Sequence, residues 1–460
     1  MTQPFSPIAS RRHFLRSTSA GFGYLAFAEM AARVAAAESS QQNPLAPKTP
    51  HFPAKAKRVI FLYMDGAPSH LDTFDYKPQL IADDGKAGKY GGTLWGSPFE
   101  FSRHGDSGLW ISELFPNVAR HADDLALIRS MHCDQPAHPS AMVQMHTGTS
   151  TFIRPSLGSW VVYGLGTENE NMPGFLSLTP PAAGAPSYNS AFLPSVYSGS
   201  RLGRGSGRRS GPQKAIDIDN PNLSRQDQRR QIDFIQQLNR GMLDRSTGSQ
   251  RNIEGVIESF ELGYRMQDTM PQLMDTSQET AQTLQQYGIG NSATDSFGRQ
   301  CLMARGFVEA GVRFVEISYG IWDHHSKLSE NLPTRCEAVD LPIAGLLKDL
   351  KERDMLKDTL VIWGGEFGRT PNRQGRDGRD HINKGYTLWM AGGGVKGGVS
   401  YGATDEHGYE AVENPVHIHD WRATILHLLG LDHEQLTYRH AGRDYRLTDV
   451  HGNIAHDIIA

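Results

Sequence analysis

The chain has 460 residues, 38% of them hydrophobic and 21% charged. That composition excludes a disordered or fibrous chain, the net charge of −4 gives no case for nucleic-acid binding, and three Cys cannot build a disulfide framework. The 19 His are many for this length, and their positions carry most of the functional reading.

At the start, Arg11 and Arg12 precede Phe14 and Leu15, then an apolar Gly/Ala-rich stretch from Ser17 to Ala32, then Ala35, Ala36 and Ala37. Arginine pair, apolar run and small-residue cleavage site occur in the order of an export signal. The pattern resembles a bacterial twin-arginine signal. It implies removal of residues 1–37, passage of the folded chain through the twin-arginine translocase, and a periplasmic or secreted product. Cys133, Cys301 and Cys336 would then meet an oxidising compartment, where one pair could bridge; which pair is left open. No later segment approaches the ~20 apolar residues of a membrane span.

Residues 38–56 are polar and Pro-rich and read as a linker; the remaining domain, 57–460, is α/β in pattern. Val59 to Met64 is a continuous apolar run, as expected for a parallel strand covered on both faces, and it ends at Asp65-Gly66. Arg201 to Arg209 is Gly/Ser/Arg-rich and reads either as a surface loop or as an arginine-lined lip for an anionic substrate. Residues 213–290 have helical spacing (Ile232, Ile235, Leu238, Met242) and read as a helical insertion. Residues 297–310 predict a helix stopped by Gly311. Val312 to Ile317 is then a strand leading to Trp322-Asp323-His324-His325. Ile343, Leu346, Leu347 and Leu350 mark an amphipathic helix. Thr359 to Trp363 is a strand before Gly365-Glu366, and Tyr386 to Ala391 another. Asp420 is read as the N-cap of a closing helix that stops at Gly430.

Several strands therefore lead into metal-binding residue types: Asp65, then Asp323, His324 and His325, then Glu366 with Asp380 and His381 just beyond. Open α/β sheets place their sites at the carboxyl ends of the strands. Carboxylate and imidazole donors together suit zinc, manganese or iron. His417 and His419 are expected to satisfy hydrogen bonds ahead of the last helix. Arg369 is expected either to face an anionic substrate or to pin Glu366.

Residues 344–368 resemble the helix–turn–strand segment of sulfatases, and 420–430 resemble the sulfatases' closing helix. From about Arg58 to Gly452 the chain resembles the bacterial domain of unknown function 1501 family: Trp-Asp-x-His (322–325), Gly-Glu-Phe-Gly-Arg-Thr-Pro (365–371), Gly-Arg-Asp-His (378–381) and Ala-Gly-Gly-Gly-Val-Lys-Gly-Gly (391–398). That family is regarded as part of the alkaline-phosphatase-like superfamily. The resemblance implies a three-layer α/β sandwich with a mainly parallel central sheet and an exported metal-dependent hydrolase of sulfate or phosphate esters. It implies one or two divalent ions, with zinc, manganese and calcium not distinguished, held by Asp65, Asp323, His325, Glu366 and His381. Phe367 falls where sulfatases have a ligand His, and His138, His70 or His324 is left to supply that nitrogen. His138 also aligns with the sulfatase nucleophile, whose Cys and Arg are both missing here. The catalytic candidates are therefore Ser140, otherwise read as a helix N-cap, and His138, as ligand or general acid; a metal-activated water is the other nucleophile. The alternative is a metal-binding pseudo-enzyme that captures anionic glycans without turnover.

Overall fold

Arg58–Asp65 (β1) is buried from Val59 onward, and its side chains alternate between two cores. Val59, Phe61 and Tyr63 belong to one apolar cluster, Ile60, Leu62 and Met64 to the other. This two-sided burial is why the run is apolar without alternation. It also defines three layers. On one side pack His138–Thr147 (α1), Leu157–Leu165 (α2) and a closing helix; on the other pack two long helices that follow residue 290. The structure is a computed structural model that describes residues 44–203, 223–243 and 250–460. The export signal expected in residues 1–37, and Arg204 to Arg209 of the arginine-rich stretch, lie outside the described residues.

The other main-sheet strands are Leu125–His132 (β2), Phe175–Leu178 (β3), Ser200–Leu202 (β4), Phe314–Gly320 (β5), Thr359–Gly364 (β6), Tyr386–Ala391 (β7), Val399–Tyr401 (β8) and Val416–His417 (β9). Their order is β8-β2-β7-β6-β1-β5-β3-β4, with β9 also pairing β2. Strand β1 runs parallel to β5 and β6, and β3 parallel to β5 and β4. Strand β7 is antiparallel to both neighbours, β2 and β6. Its amino-terminal end therefore lies on the rim where β1, β5 and β6 end. That reversal brings the segment before β7, with His381, to the same rim as Asp65, Asp323 and Glu366.

Helices Arg225–Leu243 (α3) and Gln250–Met274 (α4) occupy the stretch expected to be helical. Asp295–Glu309 (α5) ends at Gly311, where the Val312 amide closes onto the Phe307 carbonyl at 3.0 Å. Leu328–Glu352 (α6) is longer than the expected amphipathic segment and buries Ile343, Leu346, Leu347 and Leu350 completely; each contributes about 1.5–3 kcal/mol of burial. Ile418–Leu428 (α7) departs from expectation at its start. The N-cap is His417, whose Nδ1 accepts the His419 amide, while Asp420 reaches back to the His417 amide. Asp420 is thus the return half of a capping box, three residues inside the helix.

The described part of the expected linker is held to the body. Amides of Lys55 and Ala56 donate to the Leu428 carbonyl, and Leu45 is buried. All three cysteines are buried free thiols. Among the described residues no helix is long and apolar enough to cross a membrane.

Candidate metal centre

The four donors of the rim site come from three segments. Helix α1 begins at His138, with Pro139 at the second position, where a missing amide hydrogen is harmless. After β5 the chain turns through Ile321 at φ 74, a left-handed conformation that is costly for a β-branched residue. Trp322 is then fully buried and donates from Nε1 to the Tyr319 carbonyl at 3.0 Å. That anchor presents Asp323 and His325 to the rim. His381 comes from the segment before β7.

Two glycines allow these segments to touch. A Cβ on Gly378 would lie 2.0 Å from the His325 carbonyl oxygen. Gly66, at φ 107, would place one 2.9 Å from the Trp322 amide. Arg379, beside Gly378, is fully buried and pairs with Asp72 at 2.7 Å. The Gly-Arg-Asp-His motif thus combines a close approach, a buried anchor and a donor.

Among the described residues, one group of His, Cys, Asp and Glu donors converges: His138, Asp323, His325 and His381, with one donor atom from each within 4.8 Å of the others. The three Nε2 atoms stand 3.2, 3.0 and 3.3 Å from Asp323 Oδ1. Each Nδ1 faces an acceptor. His138 Nδ1 donates to Glu366 Oε1 at 2.5 Å, His325 Nδ1 to Gln374 Oε1 at 2.6 Å, and His381 Nδ1 to the Pro136 carbonyl at 2.9 Å. Each ring therefore carries its hydrogen on Nδ1 and turns Nε2 to the shared point, as metal-ligating imidazoles do. His138 Nε2 is also buried without a well-directed hydrogen bond. These residues fit a metal ion.

Electrostatics support the same point. Burial works against ionisation of Asp323, but His138, His381 and Arg369 outweigh it and hold the carboxyl far below the usual carboxylate range. Burial also opposes a charge on His138, yet Asp323 and Glu366 raise it to about 9. Without metal, His138 thus holds a proton on Nε2, and that proton leaves when a cation takes the nitrogen. The Asp323 and His325 side chains are each 38% exposed, so the centre is open to solutes.

The expected site residues separate into groups. Asp323, His325 and His381 meet, and His138 joins them as the fourth donor, where the sequence reading left His138, His70 and His324 as alternatives. His70 instead makes a 3.3 Å contact from Nε2 to the Gly408 carbonyl, and the Arg369 amide donates to its Nδ1. Glu366 stands behind the donors. Fully buried, it accepts from Tyr63 Oη at 2.7 Å, from the Gly66 amide at 3.2 Å and from His138. Asp65 is outside the convergent group; its Oδ2 accepts the Ala182 amide at 2.7 Å. Ser140 is not the N-cap, which is Ala137. Two residues along a helix is about 200° around the axis, so Ser140 projects away from the direction taken by His138. Phe367 packs its ring 4.6 Å from His138 and 4.7 Å from His381. Arg369 pins Asp323 rather than Glu366, with Nη1 at 2.8 Å from Oδ1, and its other nitrogens donate to the Gly66 and Ala67 carbonyls.

Gln374, the Pro136 carbonyl and the His138–Glu366 pairing escaped the sequence reading. The usable signal was His138-Pro139, a helix start that points an imidazole at the rim. Beside the centre, His381 and Gln374 also line a cleft of about 470 Å³ with Arg373, Lys384, Tyr90 and Tyr409.

Fold and site together define a three-layer α/β protein with a histidine-rich rim, whose donors could hold a metal ion, at the strand ends of a mainly parallel sheet. The chain belongs to the family described as "Protein of unknown function (DUF1501)", whose model matches residues 56–459. No functionally curated protein matches it. Similar solved structures include the PsFucS1 sulfatase from Pseudoalteromonas sp., at 14% identity and TM-score 0.35 over 83% of this chain and 68% of that one. A phosphonate monoester hydrolase from Silicibacter pomeroyi is similar at 12% identity and TM-score 0.36, over 81% and 73% of the two chains. TAB5 alkaline phosphatase is similar at 12% identity and TM-score 0.34, over 82% and 99%.

Proposed function

We propose that the chain is an exported metal-dependent hydrolase of sulfate or phosphate esters. The observation that carries this reading is the set of three imidazoles, each with its Nδ1 hydrogen assigned to an acceptor, that share Asp323 at an open rim beside a cleft. A bound divalent ion supplies Lewis-acid polarisation of the ester and stabilises the charge that develops on its oxygens. The residues of the chain do the rest. Arg369 fixes Asp323, and Glu366 holds the Nδ1 hydrogen of His138. Arg373 and Lys384 in the cleft place cationic groups where an anionic ester would approach.

Aryl sulfate and aryl phosphate esters test the reading. Turnover is expected to disappear with chelator and in Asp323→Ala, and full turnover in either condition removes the proposal. Ser140→Ala is expected to keep turnover within about 3-fold, because Ser140 lies about 200° around the helix from His138; a loss of ~100-fold or more would instead identify Ser140 as the nucleophile.

One observation favours the second reading, a metal-binding pseudo-enzyme that captures anionic glycans. Four protein donors close the coordination of an ion that prefers four, whereas catalytic zinc sites keep one position open. Bound metal and measurable binding of a sulfated glycan, without hydrolysis of any ester, would select it.

A further inference from the structure

The chemistry and number of the donors carry a statement about the ion itself. Three of the four convergent donors are imidazole nitrogens. Calcium and magnesium take oxygen ligands, several at a time. Imidazole-rich sets suit zinc and its transition-metal neighbours.

Among the described residues no second group of three such donors converges. Both oxygens of Glu366 are engaged, Oε1 by His138 and the Gly66 amide and Oε2 by Tyr63. Asp65 accepts the Ala182 amide and stays outside the convergent group. Asp380 accepts the His381 amide at 2.8 Å with Oδ1, and the same oxygen is 3.8 Å from His325 Nδ1. The buried guanidinium of Arg369, 1% exposed, puts a fixed positive charge 2.8 Å from Asp323 Oδ1. That charge opposes a further cation beside the first.

We propose that the chain binds one transition-metal ion of the zinc type per molecule through His138, Asp323, His325 and His381, with Arg369 as the second positive charge of the site and with Asp65 and Glu366 as non-ligands. The proposal rests on the metal requirement of the proposed function and is independent of turnover.

The test uses the full chain, stripped with chelator, then dialysed against zinc, manganese, calcium or magnesium chloride and measured by elemental analysis. One equivalent of zinc is expected. At the free zinc concentration that gives this occupancy, calcium and magnesium are expected to fill less than about a tenth of the sites. His138→Ala is expected to weaken zinc binding by at least ~10-fold. Asp65→Asn is expected to keep one equivalent with affinity within about 3-fold of the parent. Should His138→Ala fail to fold by circular dichroism, His325→Ala, from a more exposed loop, takes its place.

Two equivalents of zinc would overturn the proposal, and so would calcium filling the site as well as zinc does. Loss of zinc in Asp65→Asn together with retention in the histidine variant would overturn it as well. One zinc without ester hydrolysis would leave this inference standing and remove the hydrolase reading. Two zincs with hydrolysis would do the reverse.

Discussion

Glu366 governs the centre without facing it. Its Oε1 lies 2.5 Å from His138 Nδ1, so it sets both the tautomer and the aim of that ring. Partners of this kind typically change metal affinity by ~10–100-fold when altered. Glu366→Gln keeps the shape but removes the charge, and its amide can present a hydrogen to Nδ1 instead of accepting one. Zinc affinity is expected to fall by ~10–100-fold, measured by competition with a chromogenic chelator; an unchanged affinity would mean that His138 is aimed by packing alone. Arg369 acts similarly on Asp323, and because its nitrogens are occupied it is a poor candidate for direct contact with substrate.

At the level of elements, helix α1 is held at both ends. His138 at its start meets Glu366, and His146 near its end lies 3.3 Å from Glu316 in β5, both nearly fully buried. Burial disfavours a charge on His146, yet Glu316 raises its proton affinity and the ring also donates to the Met142 carbonyl. His146→Ala leaves Glu316 buried and unpaired, so urea denaturation is expected to show a loss of about 3–5 kcal/mol. Replacing both with Leu is expected to recover most of that loss; a double variant as unstable as the single one would show that the pair is not the cause. The loop before His381 has a different vulnerability. In Gly378→Ala the new methyl meets the His325 carbonyl, so that the packing of one loop on the other has to give. Zinc binding is expected to drop by at least ~10-fold while most of the sheet's stability remains, as read by dialysis alongside thermal unfolding. Equal zinc binding by the variant would show that the loop relaxes without moving its donor.

For the whole molecule, buried neutral histidines set the response to acid. Burial pushes His70 down to about 4, and burial with the nearby Arg422 pushes His419 down to about 3. The unfolded chain takes up these protons near the ordinary value of ~6.5. The native form refuses them until lower pH, so stability is complete above that value and declines as pH falls from ~6.5 toward 4. For His70 alone the decline is on the order of 3 kcal/mol. Between pH 7 and pH 5 the parent is expected to lose more stability in urea than His70→Asn does, and equal losses would contradict this. The layers of the fold were legible because they are periodic: the run Val59–Met64 and the stripe Ile343, Leu346, Leu347 and Leu350 show their two-sided and one-sided burial directly. Start points were less so. The α7 cap sits at His417 because an imidazole nitrogen did the work usually given to a hydroxyl or carboxylate, and α1 starts at His138 with no capping side chain. The same holds for the centre. The order of residues by itself determined that acids and imidazoles would follow the ends of buried strands, since apolar runs and the residues after them are local properties of the chain. Only the tertiary structure decided that His138 joins Asp323, His325 and His381 while Asp65 and Glu366 do not. Convergence to within a few ångströms depends on the reversed course of β7, on the contact at Gly378 and on hydrogen bonds such as His138–Glu366 between residues 228 positions apart, and no local period records such pairings.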